Sequence, residues 1–401
     1  MKRSVSVCMS NASIFLCLWL ALLLVSRDGN AQIAVTGSTN ANHFGVDFTF
    51  KGSDGSAPTA ALVQDGAGNL YGTTSAGGYG FGVVFKLDSS NHETVLYAFT
   101  GPDGATPNGA LVLDGSGNLY GATSAGGDYG LGTIFKIDMH GVETVLHSFT
   151  GAPDGANPYA GLVMDKTGNL YGTTEKGGAF GSGTVFEIDT GDVETVLHSF
   201  AGGPADGADP KARLILDGGG NLYGTTFAGG SWGYGTVFQV DATNTETVLY
   251  NFTGGFDGGN PFAGLAQDTN GVLYGTTEVG GSIGHRPYGC CKGTVFVLNG
   301  NNETVLYTFT GASDGGTPAS DLVLYNGALY GTTLAGGPSQ KGTVFSVNIA
   351  TGTESVLHGF TGLGDGGIPL GGLLINATGT LYGTAEGGGR FMKGTVYQQD
   401  Q

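Results

Sequence analysis

Cysteine is scarce in this chain. Its 401 residues include four cysteines, Cys8, Cys17, Cys290 and Cys291, and the first two lie in or beside an apolar N-terminal segment that we expect to be removed. A framework of several disulfides is therefore excluded, and burial of apolar surface must hold the fold together. In an exported protein the adjacent pair Cys290 and Cys291 can close a vicinal disulfide, although it can equally belong to an ordinary loop.

Long apolar runs are also lacking beyond the N-terminus. Lys2 and Arg3 precede an uncharged run at 14–25, and the small residues of Gly29-Asn30-Ala31 follow it. This order predicts a signal peptide over 1–31, because the run is too short for a comfortable membrane span. An uncleaved anchor is the alternative, but no stop-transfer pattern follows. We expect a secreted or periplasmic protein with no membrane contact after cleavage, a linker over 32–42 and one folded domain over 43–401.

Basic residues are few. The chain has 15 Lys and Arg against 33 Asp and Glu, and the predicted signal removes three of the basic and one of the acidic side chains. The remaining 12 basic and 32 acidic side chains give a formal charge of −20. Such a surface repels nucleic acid and anionic membranes, so neither is an expected partner.

No segment shows a sustained 3.6-residue apolar period, so we expect almost no helix. The 79 glycines instead belong to a repeat. The string Leu-Tyr-Gly-(Thr/Ala)-(Thr/Ala) recurs seven times at intervals of about fifty residues. Its tyrosines are Tyr71, Tyr120, Tyr171, Tyr223, Tyr274, Tyr330 and Tyr382.

Each repeat contains four short runs typical of β-strands. In the unit at 160–210 the runs are 161–165, 169–174, 183–189 and 194–200, and tight turns with Asp and Gly separate them. Seven four-stranded antiparallel units predict an all-β fold, a seven-bladed β-propeller. An open β-solenoid is the alternative, but it has little use for tight hairpins.

The two ends of the repeat array complement each other. One strand-like run at 43–50 precedes the first complete repeat and aligns with a fourth strand. The last repeat, at 371–401, has only three strand-like runs. We therefore predict that the N-terminal strand completes the last blade and closes the ring.

The recurring pattern LYGTT, GG, GTVF, ETVLHSFTG and DG followed by Pro resembles the GloVer tandem-repeat family of bacterial exported proteins. The resemblance covers nearly all of the chain after the predicted signal. It implies a repeat architecture, often followed by a C-terminal sorting anchor, and no defined reaction, cofactor or ligand. Because this chain ends at Gln401, just after the last predicted strand, we expect a free protein without an anchor.

In such a blade the loops from strand two to three and from strand four to the next blade emerge on one face. These are the long loops here, and binding residues often lie on loops of a rigid scaffold. The second-to-third loops carry aromatic side chains that can stack on sugar rings or peptide side chains. Alternatively, these side chains cover the grooves between blades. The aromatic residues are Tyr79, Phe81, Tyr129, Phe180, Trp232, Tyr234, Tyr288 and Phe391.

The fifth repeat has the longest interval, 56 residues between Tyr274 and Tyr330. Its extra residues include His285, Arg286 and Tyr288 beside the cysteine pair. Arg286 can bind a ligand carboxylate or sulfate in bidentate fashion. The spacing does not match a zinc site, so no metal is expected. An ordinary loop insertion is the alternative.

An Asp-Gly pair recurs in every blade-to-blade loop, with a proline four residues after the aspartate. A ring of carboxylates for cations or sugar hydroxyls is one interpretation, but a turn-capping role is favoured because the pattern is the same in all blades. We interpret His147, His198 and His358 as outer-edge packing residues. The glutamates that open the fourth strands are interpreted as solvated edge charges. The aspartates are Asp54, Asp103, Asp154, Asp206, Asp257, Asp314 and Asp365, and the glutamates are Glu93, Glu143, Glu194, Glu246, Glu303 and Glu354.

These patterns favour a non-catalytic binding or scaffold propeller that recognises an extracellular polysaccharide or protein through its long-loop face. The alternative is a polysaccharide lyase or hydrolase that uses the blade-five loop, and a structural surface-layer component is a third hypothesis. We expect a monomer without a cofactor. The sequence does not identify the ligand.

Overall fold

The structure, a computed structural model, describes residues 43–281 and 292–401. These residues form seven small antiparallel sheets arranged as a seven-bladed β-propeller, which confirms the predicted fold class. The described residues contain no helix, and none of their segments is a helix that could span a membrane.

The strands of each blade are numbered from one to four, outward from the axis. Strands one are Val63–Gln64, Val112–Leu113, Val163–Met164, Ile215–Leu216, Ala266–Gln267, Val323–Tyr325 and Leu374–Ile375. Strands two are Leu70–Thr74, Leu119–Thr123, Leu170–Thr174, Leu222–Thr226, Leu273–Thr277, Ala328–Ala335 and Leu381–Ala385. Strands three are Val83–Leu87, Thr133–Ile137, Thr184–Ile188, Thr236–Val240, Thr294–Asn299, Thr343–Asn348 and Thr395–Gln399. Strands four are Glu93–Ala98, Glu143–Ser148, Glu194–Ser199, Glu246–Asn251, Asn302–Thr308, Glu354–Gly359 and, for blade seven, Phe44–Thr49.

Short ladders outside the blades link the long loops. Gly155–Ala156 pairs with Lys176–Gly177, and Gly207–Ala208 pairs with Ala228–Gly229. The short strand Gly316–Pro318 pairs with the end of strand two in blade six. All three ladders lie on the face that carries the long loops, here called the long-loop face. The opposite face, with the tight turns, is called the short-turn face.

The ring closes as predicted. Phe44–Thr49 pairs antiparallel with Thr395–Gln399, so the N-terminal strand becomes strand four of blade seven. This pairing joins residues about 350 positions apart, and it leaves no blade with an unpaired third strand.

The core consists of aromatic pairs between neighbouring blades. The phenylalanine that ends each strand four is fully buried and meets the ring of strand three in the next blade edge to face. In one such pair, the ring centroids of Phe200 and Phe238 are 5.0 Å apart. Seven pairs complete the circle, and the last one joins Phe360 to Tyr397 at 5.1 Å. Edge-to-face packing adds to the stability that comes from burial alone.

The recurring LYGTT string has a separate structural reason at each position, as blade three illustrates. A Cβ atom on Gly172 would lie 2.7 Å from the ring of Phe186, so only glycine fits. The Thr173 hydroxyl donates to a backbone carbonyl of the next blade at 3.2 Å. The Thr174 hydroxyl lies 2.8 Å from that of Thr184 on the neighbouring strand. The string therefore recurs because two of these positions pack strand two on strand three of its own blade and one links the blade to the next.

Strand one is shorter than the sequence predicts. In blade three it spans only Val163–Met164, although the predicted run was 161–165. Gly161 instead packs against the backbone of Ala110 in the preceding blade. Close approach to the neighbouring inner segment therefore takes the place of ladder pairing near the axis.

Candidate functional site

The blade-to-blade loops enter their blades through one residue with left-handed backbone. This residue precedes the recurring proline in every blade, and its φ lies between 54° and 59°. β-Branched residues rarely adopt such angles, yet three of the seven are Thr or Ile. The residues are Ala57, Thr106, Asn157, Asp209, Asn260, Thr317 and Ile368. The surrounding backbone must hold this conformation in place.

Blade four shows how the backbone does so. The Asp209 N–H donates to the carbonyl of Ser182 in the preceding blade at 2.9 Å. The Asp209 carbonyl accepts from the N–H of Phe227 at 3.1 Å. These bonds use no side-chain atoms, so they work for any residue type. They join the residue before the proline to the residue after LYGTT, and so bring two positions together near the axis, the residue after the proline and the residue after LYGTT.

These two positions vary in a chain that is otherwise repetitive. The residues after the prolines all line one cavity on the axis: Thr59, Asn108, Tyr159, Lys211, Phe262, Ala319 and Leu370. The residues after LYGTT or its variants are Ser75, Ser124, Glu175, Phe227, Glu278, Leu334 and Glu386. We call these fourteen residues the channel mouth. We did not predict these residues from the sequence. The signal was visible, however, because their residue type changes from repeat to repeat beside a recurring proline or a recurring Thr or Ala.

Aromatic rings gather on one side of the channel mouth. The rings of Tyr159 and Phe262 meet edge to face with centroids 5.6 Å apart, although blade four lies between their blades. The ring of Phe227 is 6.3 Å from that of Phe262. The Lys211 ammonium lies 4.5 Å from the centroid of Phe227 and 5.8 Å from that of Phe262. Both distances are within the range of a cation–π contact.

Carboxylates surround these rings. Lys211 Nζ is 3.6 Å from Glu175. Burial, followed by the negative charges of Glu386, Glu175 and Glu278, raises the pKa of the Tyr159 hydroxyl. Burial also raises the pKa of Glu278, and the charge of Lys211 offsets this only in part. The aromatic side of the mouth is therefore acidic and partly desolvated.

The channel has two parts. Beneath the mouth is a small cavity of about 60 Å³, which Arg213 and Asp321 also line. A larger cavity of about 740 Å³ lies on the side of the short turns and reaches Arg213 from below. The Arg213 side chain donates to the carbonyl of Leu162 at 3.1 Å. Burial raises the pKa of Asp321, whereas Arg213 and a backbone N–H oppose the rise.

The predicted aromatic residues of the second-to-third loops lie elsewhere. Five of them stand at loop tips, are between 42 % and 74 % exposed, and belong to consecutive blades around the ring, seven and one to four: Phe391, Tyr79, Tyr129, Phe180 and Trp232. We call these five residues the aromatic arc. The N–H of Ser231, beside Trp232, donates to the Asn251 side chain at the end of strand four. The tip of this loop therefore lies toward the outer rim, and not over the channel.

Tyr234 and Phe81 differ from the arc. A Cβ atom on Gly254 would meet the Tyr234 ring at 2.6 Å, and one on Gly101 would meet the Phe81 ring at 3.3 Å. Both rings therefore cover the following blade-to-blade loop, the alternative considered from the sequence. His285, Arg286, Tyr288 and the pair Cys290 and Cys291 lie outside the described residues, and their roles stay predictions.

The Asp-Gly aspartates cap turns, as the favoured interpretation holds. Each carboxylate accepts a backbone N–H from the start of its own loop at 2.7–2.9 Å. In six loops it also accepts from a fourth-strand Tyr or His. The Tyr97 hydroxyl lies 2.5 Å from Asp103, and His147 Nε2 lies 3.0 Å from Asp154.

The outer-edge packing interpretation of the histidines is confirmed, because they lie on the outermost strands and meet the buried phenylalanines edge to face. His147, His198 and His358 are partly buried between blades, where they hydrogen-bond to Asp154, Asp206 and Asp365 at 3.0–3.3 Å. Tyr and His alternate at this position because each presents a polar hydrogen to the aspartate from a flat ring.

The interpretation of the fourth-strand glutamates as solvated charges is wrong. One carboxyl oxygen of each is enclosed, with no hydrogen-bond partner among the described residues: Glu93, Glu143, Glu194, Glu246, Glu303 and Glu354. Burial raises the pKa of Glu143 to about 7, with a further increase from Asp103. The turn-capping aspartate and the glutamate of the next blade therefore lie together between two blades, where water is partly excluded. We call each such place a junction.

At two of these junctions between blades, three side chains of the types that bind metal ions lie close together. The donor atoms of His147, Asp154 and Glu194 lie within 4.8 Å of each other, as do those of His198, Asp206 and Glu246. At other junctions a tyrosine takes the place of the histidine, as where Tyr97 lies with Asp103 and Glu143. Because phenol replaces imidazole without any change in geometry, these triads are structural links, and we assign no metal to them.

This chain is similar to one family of repeat proteins in sequence and to several solved structures in fold. A profile described as the Gloeobacter/Verrucomicrobia repeat matches residues 31–220 and 195–397. Among solved structures, virginiamycin B lyase from Staphylococcus aureus is similar, with 12% identity, a TM-score of 0.59, and coverage of 90% of this chain and 100% of that one. The extracellular domain of a protein assigned to the hybrid two-component systems of B. thetaiotaomicron is 11% identical, with a TM-score of 0.56 and coverage of 88% and 39%. None of the curated proteins compared with this chain matches it. At these identities the likeness concerns the fold alone.

Proposed function

The chain belongs to the Gloeobacter/Verrucomicrobia repeat family, and we propose that it is an exported, non-catalytic binding propeller that recognises an extracellular polysaccharide through its long-loop face. The observation that carries the proposal is the aromatic arc. Neighbouring tips repeat around the rim at the spacing of the blades, and a polymer is the kind of ligand that can contact several of them at once.

The energetics support this choice. An exposed aromatic face that stacks on a sugar contributes on the order of 1 kcal/mol, so one tip alone gives weak binding. Several tips engaged by one chain give higher affinity without any new kind of contact.

The test is titration of the full-length protein with a panel of polysaccharides, followed through tryptophan emission and calorimetry. Trp232→Ala and Phe180→Ala should each weaken binding about fivefold, the equivalent of about 1 kcal/mol. Met139→Ala is the matched control, because Met139 is equally exposed but lies on a short turn of the opposite face. Binding that survives the double variant Trp232→Ala with Phe180→Ala unchanged would refute the proposal. Binding to a protein partner alone would refute it as well.

Export and a monomeric state are part of the same proposal. The N-terminus of protein recovered from the source cells should be Gln32, and sizing should give a monomer. A higher assembly would favour the surface-layer hypothesis.

The enzymatic alternative concerns residues outside the described part of the chain. If His285, Arg286 and Tyr288 form a lyase or hydrolase site, the protein should degrade acidic polysaccharides and His285→Ala should abolish that activity. Absence of turnover by the unmodified protein across the same panel would remove this alternative.

A further inference from the structure

We propose that the channel mouth binds the ammonium group of an amino sugar, with the sugar hydroxyls directed to the polar side of the mouth. This inference rests on the proposed glycan-binding function and adds the substrate class. It concerns a different part of the long-loop face from the aromatic arc, and so the two can be tested separately.

The first argument is that the mouth already holds an ammonium group. Lys211 Nζ lies over the ring of Phe227 at 4.5 Å, within 5.8 Å of Phe262 and 3.6 Å from Glu175. Two aromatic faces with a carboxylate beside them form an arrangement that recognises organic cations. The lysine shows the size and chemistry of the group that this place accepts.

The second argument is charge. Three of the fourteen mouth residues are carboxylates, Glu175, Glu278 and Glu386, and their charges all act on the Tyr159 hydroxyl. Among the described residues of the channel mouth, Lys211 is the one basic side chain. The nearby Lys176 lies 2.6 Å from Asp209 and 3.8 Å from Glu175, so these two lysines and four carboxylates still leave an excess of two negative charges. The mouth therefore keeps an excess of negative charge that a second cation would offset.

Glu278 is the carboxylate that most needs such a cation. Its burial raises its pKa, and the charge of Lys211 compensates only in part. A carboxylate that is desolvated without a full partner gains from the arrival of an opposite charge. The Glu278 N–H donates to the Asn260 carbonyl at 3.3 Å, two residues before Phe262, so Glu278 lies beside the aromatic side of the mouth, and we assign the principal contact of the ligand ammonium to it.

The other side of the mouth explains why the ligand is a sugar. Blades one and two contribute small polar side chains in place of rings. The Thr59 hydroxyl lies 3.4 Å from the Asn108 side chain, which in turn donates to Ser124 at 3.0 Å. These groups can exchange their mutual hydrogen bonds for bonds to hydroxyls. An amino sugar carries an ammonium and several hydroxyls on one ring, whereas a lysine side chain carries only the ammonium.

Size and long-range charge agree with this assignment. The cavity beneath the mouth holds about 60 Å³, enough for a functional group but not for a whole sugar ring. The ring would therefore lie against Tyr159 and Phe262 at the mouth itself, with its ammonium directed to the carboxylates of the mouth. The net charge of −18 on the chain also attracts a polycationic glycan and speeds its association.

The experiment is calorimetric titration of the full-length protein with three ligands: the β-1,4-linked tetramer of glucosamine, the same tetramer fully N-acetylated, and tetralysine. Acetylation removes the charge and keeps the sugar ring. We expect the glucosamine tetramer to bind about tenfold more tightly than both others. Equal affinity for the two sugar tetramers would overturn the inference. If both tetramers bind equally and Trp232→Ala abolishes their binding, the proposed function still stands. Binding of tetralysine without the glucosamine tetramer would overturn the inference too, as would no binding of the glucosamine tetramer.

Variants separate the mouth from the rest of the surface. Glu278→Gln should weaken glucosamine-tetramer binding about tenfold and leave the acetylated tetramer unaffected. Lys211→Met, which keeps the stem and frees the place of the ammonium, should strengthen glucosamine-tetramer binding severalfold. Loss of binding in Lys211→Met would show that the lysine recognises an anion and would overturn the inference. Asp192→Asn is the control, since it makes the same charge change at an exposed short turn on the other face.

Discussion

A rise in pH from 5 to 8 should destabilise the propeller through the glutamates that open the fourth strands. Burial raises the pKa of five of them, Glu93, Glu143, Glu246, Glu303 and Glu354, from 4.5 to about 7. Between these two values the unfolded chain has released the protons and the folded chain still holds them. Stability is therefore fully present below pH 4.5 and is lost as the pH rises toward 7.

The magnitude follows from the size of the shift. A change of one pKa unit corresponds to about 1.4 kcal/mol, so a shift from 4.5 to about 7 would nominally give about 3 kcal/mol per carboxyl. These side chains are only half buried, and solvent screening reduces that figure to about 1 kcal/mol each. Five junctions together should then cost about 5 kcal/mol of unfolding free energy between pH 5 and pH 8.

The turn-capping aspartates Asp103, Asp154 and Asp206 do not compete in this window, because the pKa of each is lowered. Although burial opposes the effect, hydrogen bonds from Tyr97 and from Thr100 lower the pKa of Asp103. Stability that depends on a lowered carboxyl pKa is present above the unfolded value of 3.8 and is lost only as the pH falls below it. Maximum stability is therefore expected near pH 5.

The assay is urea unfolding of the full-length protein at pH 5, 6, 7 and 8. Glu143→Gln, a neutral isostere, should reduce the loss of unfolding free energy between pH 5 and pH 8 by about 1 kcal/mol, because the contribution of Glu143 is removed. Glu187→Gln on a third strand is the control and should leave the pH dependence as it is. An unfolding free energy that stays constant or rises from pH 5 to pH 8 would refute the reasoning, and so would an unaltered slope in Glu143→Gln.

Three further predictions concern stability and use the same unfolding measurement. Phe200→Ala should cost about 3–5 kcal/mol because its ring is fully buried between two blades, whereas Phe256→Ala, at a 67 % exposed side chain, should stay within about 0.5 kcal/mol; equal losses would contradict the packing argument. Ile368→Asn should gain about 1 kcal/mol, because a β-branched residue there adopts φ 59° and asparagine tolerates it; a loss would contradict the strain argument. Thr225→Val should cost about 1–2 kcal/mol, because it leaves a buried carbonyl of the next blade without its donor at 3.0 Å, and no loss would show that this bond is dispensable.

The sequence was sufficient for the blades because each blade is specified locally. Strand patterns and Asp-Gly turns lie within fifty residues, and the match between the run at 43–50 and the three-stranded last repeat indicated closure. Contacts between blades were harder to predict. Glu143 resembles an exposed strand end in its own repeat, and only the position of Tyr97 and Asp103 in the preceding blade shows that it is enclosed. Periodicity contains no information on which face of a blade meets its neighbour.

The same reasoning explains why the channel mouth escaped attention and why it is the place where specificity can evolve. The residues after LYGTT are held by backbone hydrogen bonds to the residues before the prolines, as Phe227 is by Asp209, so the backbone of the mouth does not depend on side-chain type. Phe200 or Thr225 cannot vary without loss of stability, because their partners are in the next blade. Seven blades thus give fourteen positions around the axis at which side chains can change at little cost in stability. A repeat that is rigid everywhere else can bind one ligand asymmetrically only through such positions. In this chain the asymmetry is that blades three to five form an aromatic and acidic half of the mouth, whereas blades one and two form a half that carries hydroxyl groups.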